Sequence, residues 1–158
     1  MLNSDGGIEA DLTVVCVDKN HFRIISSAAT RERDKFHINK HLSKNVELKD
    51  ITDDLCVFGL FGPKSRDLLK TLSEDNFEND QFKFGFAKFI TIDGVKIWTQ
   101  RLSYVGELGY ELYVDLKDAK KIYELLIEKG KDFNLSNSGM HAMDIMRMEL
   151  SLIHISEP

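Results

Sequence analysis

The run "LSYVGELGYELYV", residues 102–114, crowds two glutamates, two glycines and three tyrosines into one short stretch. Its second half decides how the chain is laid out. Tyr110, Leu112 and Val114 fall on one face of a strand and Glu111 and Tyr113 on the other, because successive β side chains point to opposite faces. This period-two pattern reads as sheet, and Gly106, Glu107 and Gly109 supply turn chemistry, so the whole run reads strand, turn, strand. Glu107 is ordinary turn polarity. Glu111 is a carboxylate set within β structure, and periodicity alone leaves it on a wet sheet face.

Outward from that run the chain alternates hairpins with helices. Residues 86–102 read as a hairpin turning at Asp93-Gly94, which the quoted stretch extends into a meander. Residues 116–130 carry Ala119, Ile122 and Leu126 at helical spacing, with Asp118 near the start and Gly130 just past the end. Residues 138–149 predict another helix, with Met140, Met143 and Met146 as a stripe of core filler. Towards the N-terminus, "LCVFGLFG" (55–62) reads as a buried strand, followed by a short helix with Pro63 at its first position. Residues 28–42 predict a largely solvated helix. Residues 11–26 predict a hairpin turning at Asp18-Lys19-Asn20. Regular strand–helix alternation is missing, so the class is α+β with antiparallel sheets and packed helices.

With 158 residues, 42% of them hydrophobic and 30% charged, the chain has the composition of one ordinary globular domain. A net charge of −5 argues against a nucleic-acid or anionic-membrane surface, either of which needs clustered basic residues. Neither a signal peptide nor a long apolar run is present, which makes the cytoplasm the expected address. Cys16 and Cys56 lie in apolar runs without metal-ligand spacing and read as buried, reduced thiols. His37 and His41 are four apart on a helix with no third ligand, so no metal site is expected. No GxGxxG or GxxxxGK[ST] motif and no recognisable nucleophile setting occurs. What remains is a pair of acids: Asp11, directly before the first apolar strand, and Glu111.

"GGIEADLTV", "SAATRERD", "GLFGPKSRDLL", "SYVGELGYELYV" and "HAMDIMRME" together resemble, in order and spacing, the aminomethyltransferase family, to which the glycine-cleavage T-protein belongs. Within that family the chain is most similar to the folate-binding C-terminal region of dimethylglycine and sarcosine dehydrogenases. The resemblance implies a partial family fold over residues 1–149 and tetrahydrofolate as cofactor. It further implies capture, as 5,10-methylenetetrahydrofolate, of a one-carbon unit derived from a small N-methyl amine. Glu111 matches the family glutamate that accepts hydrogen bonds from the pterin, Tyr104 the tyrosine beside the folate, and Asp11 the catalytic aspartate near the reacting nitrogens. Two positions depart from the T-protein branch. Ser27 replaces an Asn and stays in the cofactor-binding set, whereas Met143 replaces an Arg and leaves the folate glutamate tail without a partner. FAD is expected only in a domain preceding Met1. Residues 150–158 depart abruptly from the family pattern and resemble a translated sequencing adapter, so they are expected to be non-native. The alternatives are a stand-alone T-protein, another folate-dependent demethylase, or a non-enzymatic folate-binding factor of iron–sulfur assembly.

Overall fold

The computed structural model describes residues 1–150, and the expectation for the tail falls almost wholly outside them. The chain divides into two compact units, residues 1–50 and a second beginning at Ile51.

In the first unit, β1 (Thr13–Asp18) pairs antiparallel with β2 (His21–Ile25) across the expected turn, with an irregularity between Cys16 and Asp18. Ser27 then accepts a hydrogen bond from the Ala29 N–H, capping a single 3-10 turn that leads into α1 (Arg31–His41). α1 is solvated, as its composition predicts, and Phe36 is exposed. Its one buried residue is a carboxylate, Asp34, held by the Thr30 hydroxyl at 2.6 Å.

The second unit is a four-stranded antiparallel sheet in the order β3-β6-β5-β4, comprising β3 (Leu55–Phe61), β4 (Ala87–Ile92), β5 (Val95–Gln100) and β6 (Gly109–Asp115). Asp93 and Gly94 both take positive φ between β4 and β5, the backbone that a two-residue hairpin turn needs. One face of the sheet, carrying Leu60, Ile90, Ile97, Tyr110, Leu112 and Val114, forms the core with α2 (Ser65–Leu72) and α3 (Leu116–Gly130). Leu68 and Leu69 of α2 and Ile122 and Leu126 of α3 supply the helical side. Phe77, Phe82 and Tyr110 close one end, with ring centroids 5.6–6.4 Å apart. Asn134 at φ 59° terminates the 3-10 extension of α3, and α4 (Met140–Met148) follows.

The α+β class with antiparallel sheets is what the sequence predicts, and several local expectations are corrected. Residues 102–108 form no strand: the backbone bends through them, and Gly106 takes φ +77°. β3 is not buried, because it pairs only with β6 and lies at the sheet edge with Val57 exposed. Cys56, on β3, is therefore half-exposed and Cys16 exposed, so neither is a buried thiol, although both are free. Pro63 precedes α2 by two residues and does not begin it. The methionines of α4 are not core filler, since the helix has no fully buried residue and Met140 is exposed.

Candidate functional site

Glu111 sits on β6, an inner strand, opposite Gly59 of β3 and Gln100 of β5. Alternation sends Tyr110, Leu112 and Val114 into the core and leaves Glu111 on the other face, half-buried. Tyr113, two residues on and so on the same face, donates its hydroxyl proton to Glu111 Oε2 at 2.6 Å. Gln100 shares that face, is 1% exposed, and its Oε1 has no hydrogen-bond partner among the described residues. Beside them the Phe61 ring lies over two glycines: a Cβ on Gly59 would meet it at 2.7 Å, and one on Gly109 at 2.5 Å. The half-buried Glu111 carboxylate, framed by the Tyr113 and Phe61 rings, is the accessible acceptor of this patch, while the Gln100 oxygen is shut off from solvent. Such a patch complements a flat ligand edge rich in N–H groups.

Tyr104 stands on the bent segment before β6, with 45% of its surface exposed. α4 fixes it from outside. The Arg147 guanidinium lies 3.9 Å from the Tyr104 ring centroid, and Arg147 Nη1 donates to the Tyr104 carbonyl at 2.9 Å. Three residues further along, Leu150 packs where a side chain on Gly106 would sit. Loop and helix thus share one junction, which sequence spacing could not reveal because it is tertiary. Of the residues that sequence reasoning missed, only Tyr113 had a local signal, its i, i+2 relation to Glu111.

Asp11 and Ser27 belong to the first unit. Asp11 is exposed, follows the buried Ala10 and enters β1, and its carboxylate makes no hydrogen bond or ion pair among the described residues. The Ser27 hydroxyl oxygen accepts from Ala29 N–H, which leaves its own proton free to be donated. The His37 and His41 rings lie 4.9 Å apart between centroids, tilted by 49°, and no metal-ligating cluster of three occurs among the described residues. A cavity of about 640 Å³ opens along the β3 edge beside the C-terminal end of α3 and is lined by Val57, Phe61, Tyr123, Phe133, Met143 and Met146 among others. None of Asp11, Ser27, Tyr104 or Glu111 lines it.

An antiparallel sheet that buries one face under helices and carries a carboxylate on the other defines a domain of the α+β class. Its family is specific: residues 1–157 match the GCVT N-terminal domain, and the chain belongs to that family. It is 33% identical over 152 residues to human mitochondrial dimethylglycine dehydrogenase, an alignment covering 94% of this chain and 18% of that one. It is 31% identical over 153 residues to the aminomethyltransferase of Caldanaerobacter subterraneus subsp. tengcongensis, covering 96% of this chain and 41% of the relative. To the formaldehyde-forming 4-methylaminobutanoate oxidase of Paenarthrobacter nicotinovorans it is 30% identical, covering 98% of this chain and 19% of the relative. The chain therefore spans less than half the length of these curated relatives. Among solved structures, the heterotetrameric sarcosine oxidase of Corynebacterium sp. U-96, in complex with pyrrole 2-carboxylate, shares the fold at a TM-score of 0.62 and 13% identity. That likeness covers 84% of this chain and 66% of that one. No helix among the described residues is long and apolar enough to cross a membrane.

Proposed function

We propose that this chain is a tetrahydrofolate-binding one-carbon transfer domain, capturing as 5,10-methylenetetrahydrofolate the unit released by oxidation of an N-methyl amino acid. The observation that carries the reading is the Glu111 patch, considered within a family that includes both dehydrogenases and aminomethyltransferases. The residues present fit a reduced pterin. Tyr113 occupies one direction on Glu111 Oε2, and an ionised carboxylate has about four acceptor positions, so capacity remains for the side-by-side N–H donors of the aminopyrimidine edge. The exposed face of Tyr104 offers a flat amphipathic surface to the ring system.

Tetrahydrofolate, when bound, supplies the nucleophilic nitrogens that take up a one-carbon unit at the oxidation level of formaldehyde. The protein's part is orientation and charge. Glu111, held by Tyr113 on an inner strand, fixes the pterin edge, and Ser27 donates its hydroxyl proton to the ligand. Asp11 has no partner among the described residues to neutralise it. Its carboxylate orients the reacting nitrogen, stabilises positive charge as the new C–N bond forms, and accepts the proton that nitrogen sheds. In this reading FAD belongs to a part of the parent protein outside these residues, and the donor is of the dimethylglycine or sarcosine type.

The test is ligand titration. Glu111→Ala should weaken binding of tetrahydrofolate to the chain by about 1.5–3 kcal/mol, the range for a hydrogen bond involving a charged group. Unchanged affinity in a folded variant would exclude the pterin anchor. A second reading, a stand-alone aminomethyltransferase, is favoured by the 31% identity to the Caldanaerobacter enzyme. Assaying the parent protein for flavin-dependent amine oxidation separates the two.

A further inference from the structure

We infer that Tyr113 sets the ring specificity of this site, by tuning the Glu111 carboxylate to take a neutral lactam edge in preference to a cationic amidine edge. The inference rests on the folate reading and deepens it, since it names the ring chemistry that the same carboxylate selects. Two adjacent N–H donors can reach a carboxylate from two kinds of pteridine. A 4-oxo ring offers N3–H and the 2-amino group while uncharged. A 2,4-diamino ring has an unprotonated nitrogen between its amino groups, so it presents adjacent donors only after taking up a proton. A carboxylate left bare favours that cation, because an ion pair adds charge attraction to the same two hydrogen bonds.

Glu111 is not bare. The Tyr113 hydroxyl donates to its Oε2 at 2.6 Å. Residues two apart on a strand face the same way with Cα atoms about 7 Å apart, a span that a tyrosine leaning along the strand covers. The donor is itself held in place: Tyr113 is 6% exposed on an inner strand, opposite Trp98 of β5 and Val57 of β3. Directly across from Glu111, Gly59 has no side chain, and the Gln100 amide makes no hydrogen bond to the carboxylate. The proton shared with Glu111 therefore comes from its own strand. Such a hydrogen bond draws charge off the carboxylate and fixes its plane. An approaching cation loses most by this, because its advantage over a neutral donor pair is the full anionic charge. The neutral lactam edge loses least, since it gains from the fixed plane and needs only the acceptor positions that Tyr113 leaves open.

The experiment titrates two ligands into the 158-residue chain and two variants at neutral pH. The ligands are 5-methyltetrahydrofolate and its 4-amino-4-deoxy counterpart, which share the tail and differ only at the ring edge. The wild-type chain should bind the lactam the more tightly. Tyr113→Phe keeps the buried ring and removes the donor, and it should move the ratio of the two affinities towards the diamine by about tenfold, the scale of a hydrogen bond to a charged group. A wild-type chain that favours the diamine overturns the inference even if Tyr113→Phe fails to fold. An unchanged ratio in folded Tyr113→Phe also overturns it, because a tyrosine that only packs the sheet weakens both ligands alike. Glu111→Gln is the control on the underlying reading and should weaken both ligands. A wild-type chain that binds neither ligand, or one whose binding is indifferent to Glu111→Gln, overturns the pterin anchor and the inference with it. Weakened binding in Glu111→Gln beside an unchanged ratio in Tyr113→Phe overturns the inference alone and leaves the folate reading standing.

Discussion

At the scale of single residues, the two acids differ in what surrounds them, and their substitution should separate binding from rate. Glu111 is half-buried, hydrogen-bonded and fixed on an inner strand, as suits a group that holds a ligand still. Asp11 is exposed and unpartnered among the described residues, so its charge is available to a reaction. Asp11→Asn keeps the size and much of the hydrogen bonding while removing the charge. It should lower the folate-dependent rate of one-carbon transfer with little change in folate affinity. Normal methylenetetrahydrofolate yield at saturating folate would refute a catalytic Asp11. A third acid acts on stability. Hydrogen bonding from the Thr30 hydroxyl, above all, holds the Asp34 carboxyl below its ordinary range, with Arg33 adding a smaller effect. A depressed pKa favours folding where the group is ionised in both states. The contribution is therefore complete above the ordinary Asp range, near 3.9, and disappears as pH falls through the lower folded value. Denaturant melts between pH 7 and pH 2.5 should show an acid-side loss of stability that shrinks in Asp34→Asn. An identical pH profile in that variant would remove Asp34 from the account.

At the scale of elements, the close packing around β6 gives the next prediction. Gly109 begins β6 with no room for a side chain, since a Cβ there would lie 2.9 Å from the Leu102 carbonyl oxygen and 2.5 Å from the Phe61 ring. The ring can rotate away, but the backbone oxygen is held by the chain. Gly109→Ala should therefore cost about 1–3 kcal/mol, the range for overpacking, and shift Phe61 off the strand, visible as a change in its ring resonances. A thermal midpoint equal to the wild type would mean that the 102–109 bend relaxes freely. β6 was legible from its two-residue period, as were the β4–β5 turn from Asp93-Gly94 and α3 from its apolar spacing. The bend was not, because Ser103, Tyr104 and Val105 have strand-forming neighbours, and what keeps them out of the sheet is tertiary. The Leu108 carbonyl accepts from Gly62 N–H and the Ser65 hydroxyl, and Arg147 grips Tyr104 from α4. β3 misled for a related reason. An apolar run without charge usually marks an inner strand, and no residue in "LCVFGLF" signals that only β6 pairs with it.

At the scale of the whole molecule, the two units differ in kind, and that difference predicts how they behave apart. Every residue of the hydrophobic core cluster, from Leu60 to Leu126, belongs to the second unit, and thirteen buried side chains form it. The first unit buries Ala10, Val15 and Asp34, and its sheet is a single hairpin that leaves Val14 and Phe22 exposed on one face. A two-stranded hairpin is marginal in water, whereas three or more strands packed on helices can stand alone. This contrast was only partly readable in advance. Overall composition met the requirements of one globular domain, and composition averages over a chain whose apolar residues are unevenly used. Residues 51–158 expressed alone should therefore give a single cooperative thermal transition with near-native ellipticity, and residues 1–50 alone should show neither. The outcome bears on function, because Glu111 and Tyr104 lie in the unit with the core, and Asp11 and Ser27 lie in the other. If residues 51–158 fold, they should still bind tetrahydrofolate in a manner that Glu111→Ala weakens, without any transfer activity. Transfer by residues 51–158 at the rate of the whole chain would show that the reaction needs neither Asp11 nor Ser27.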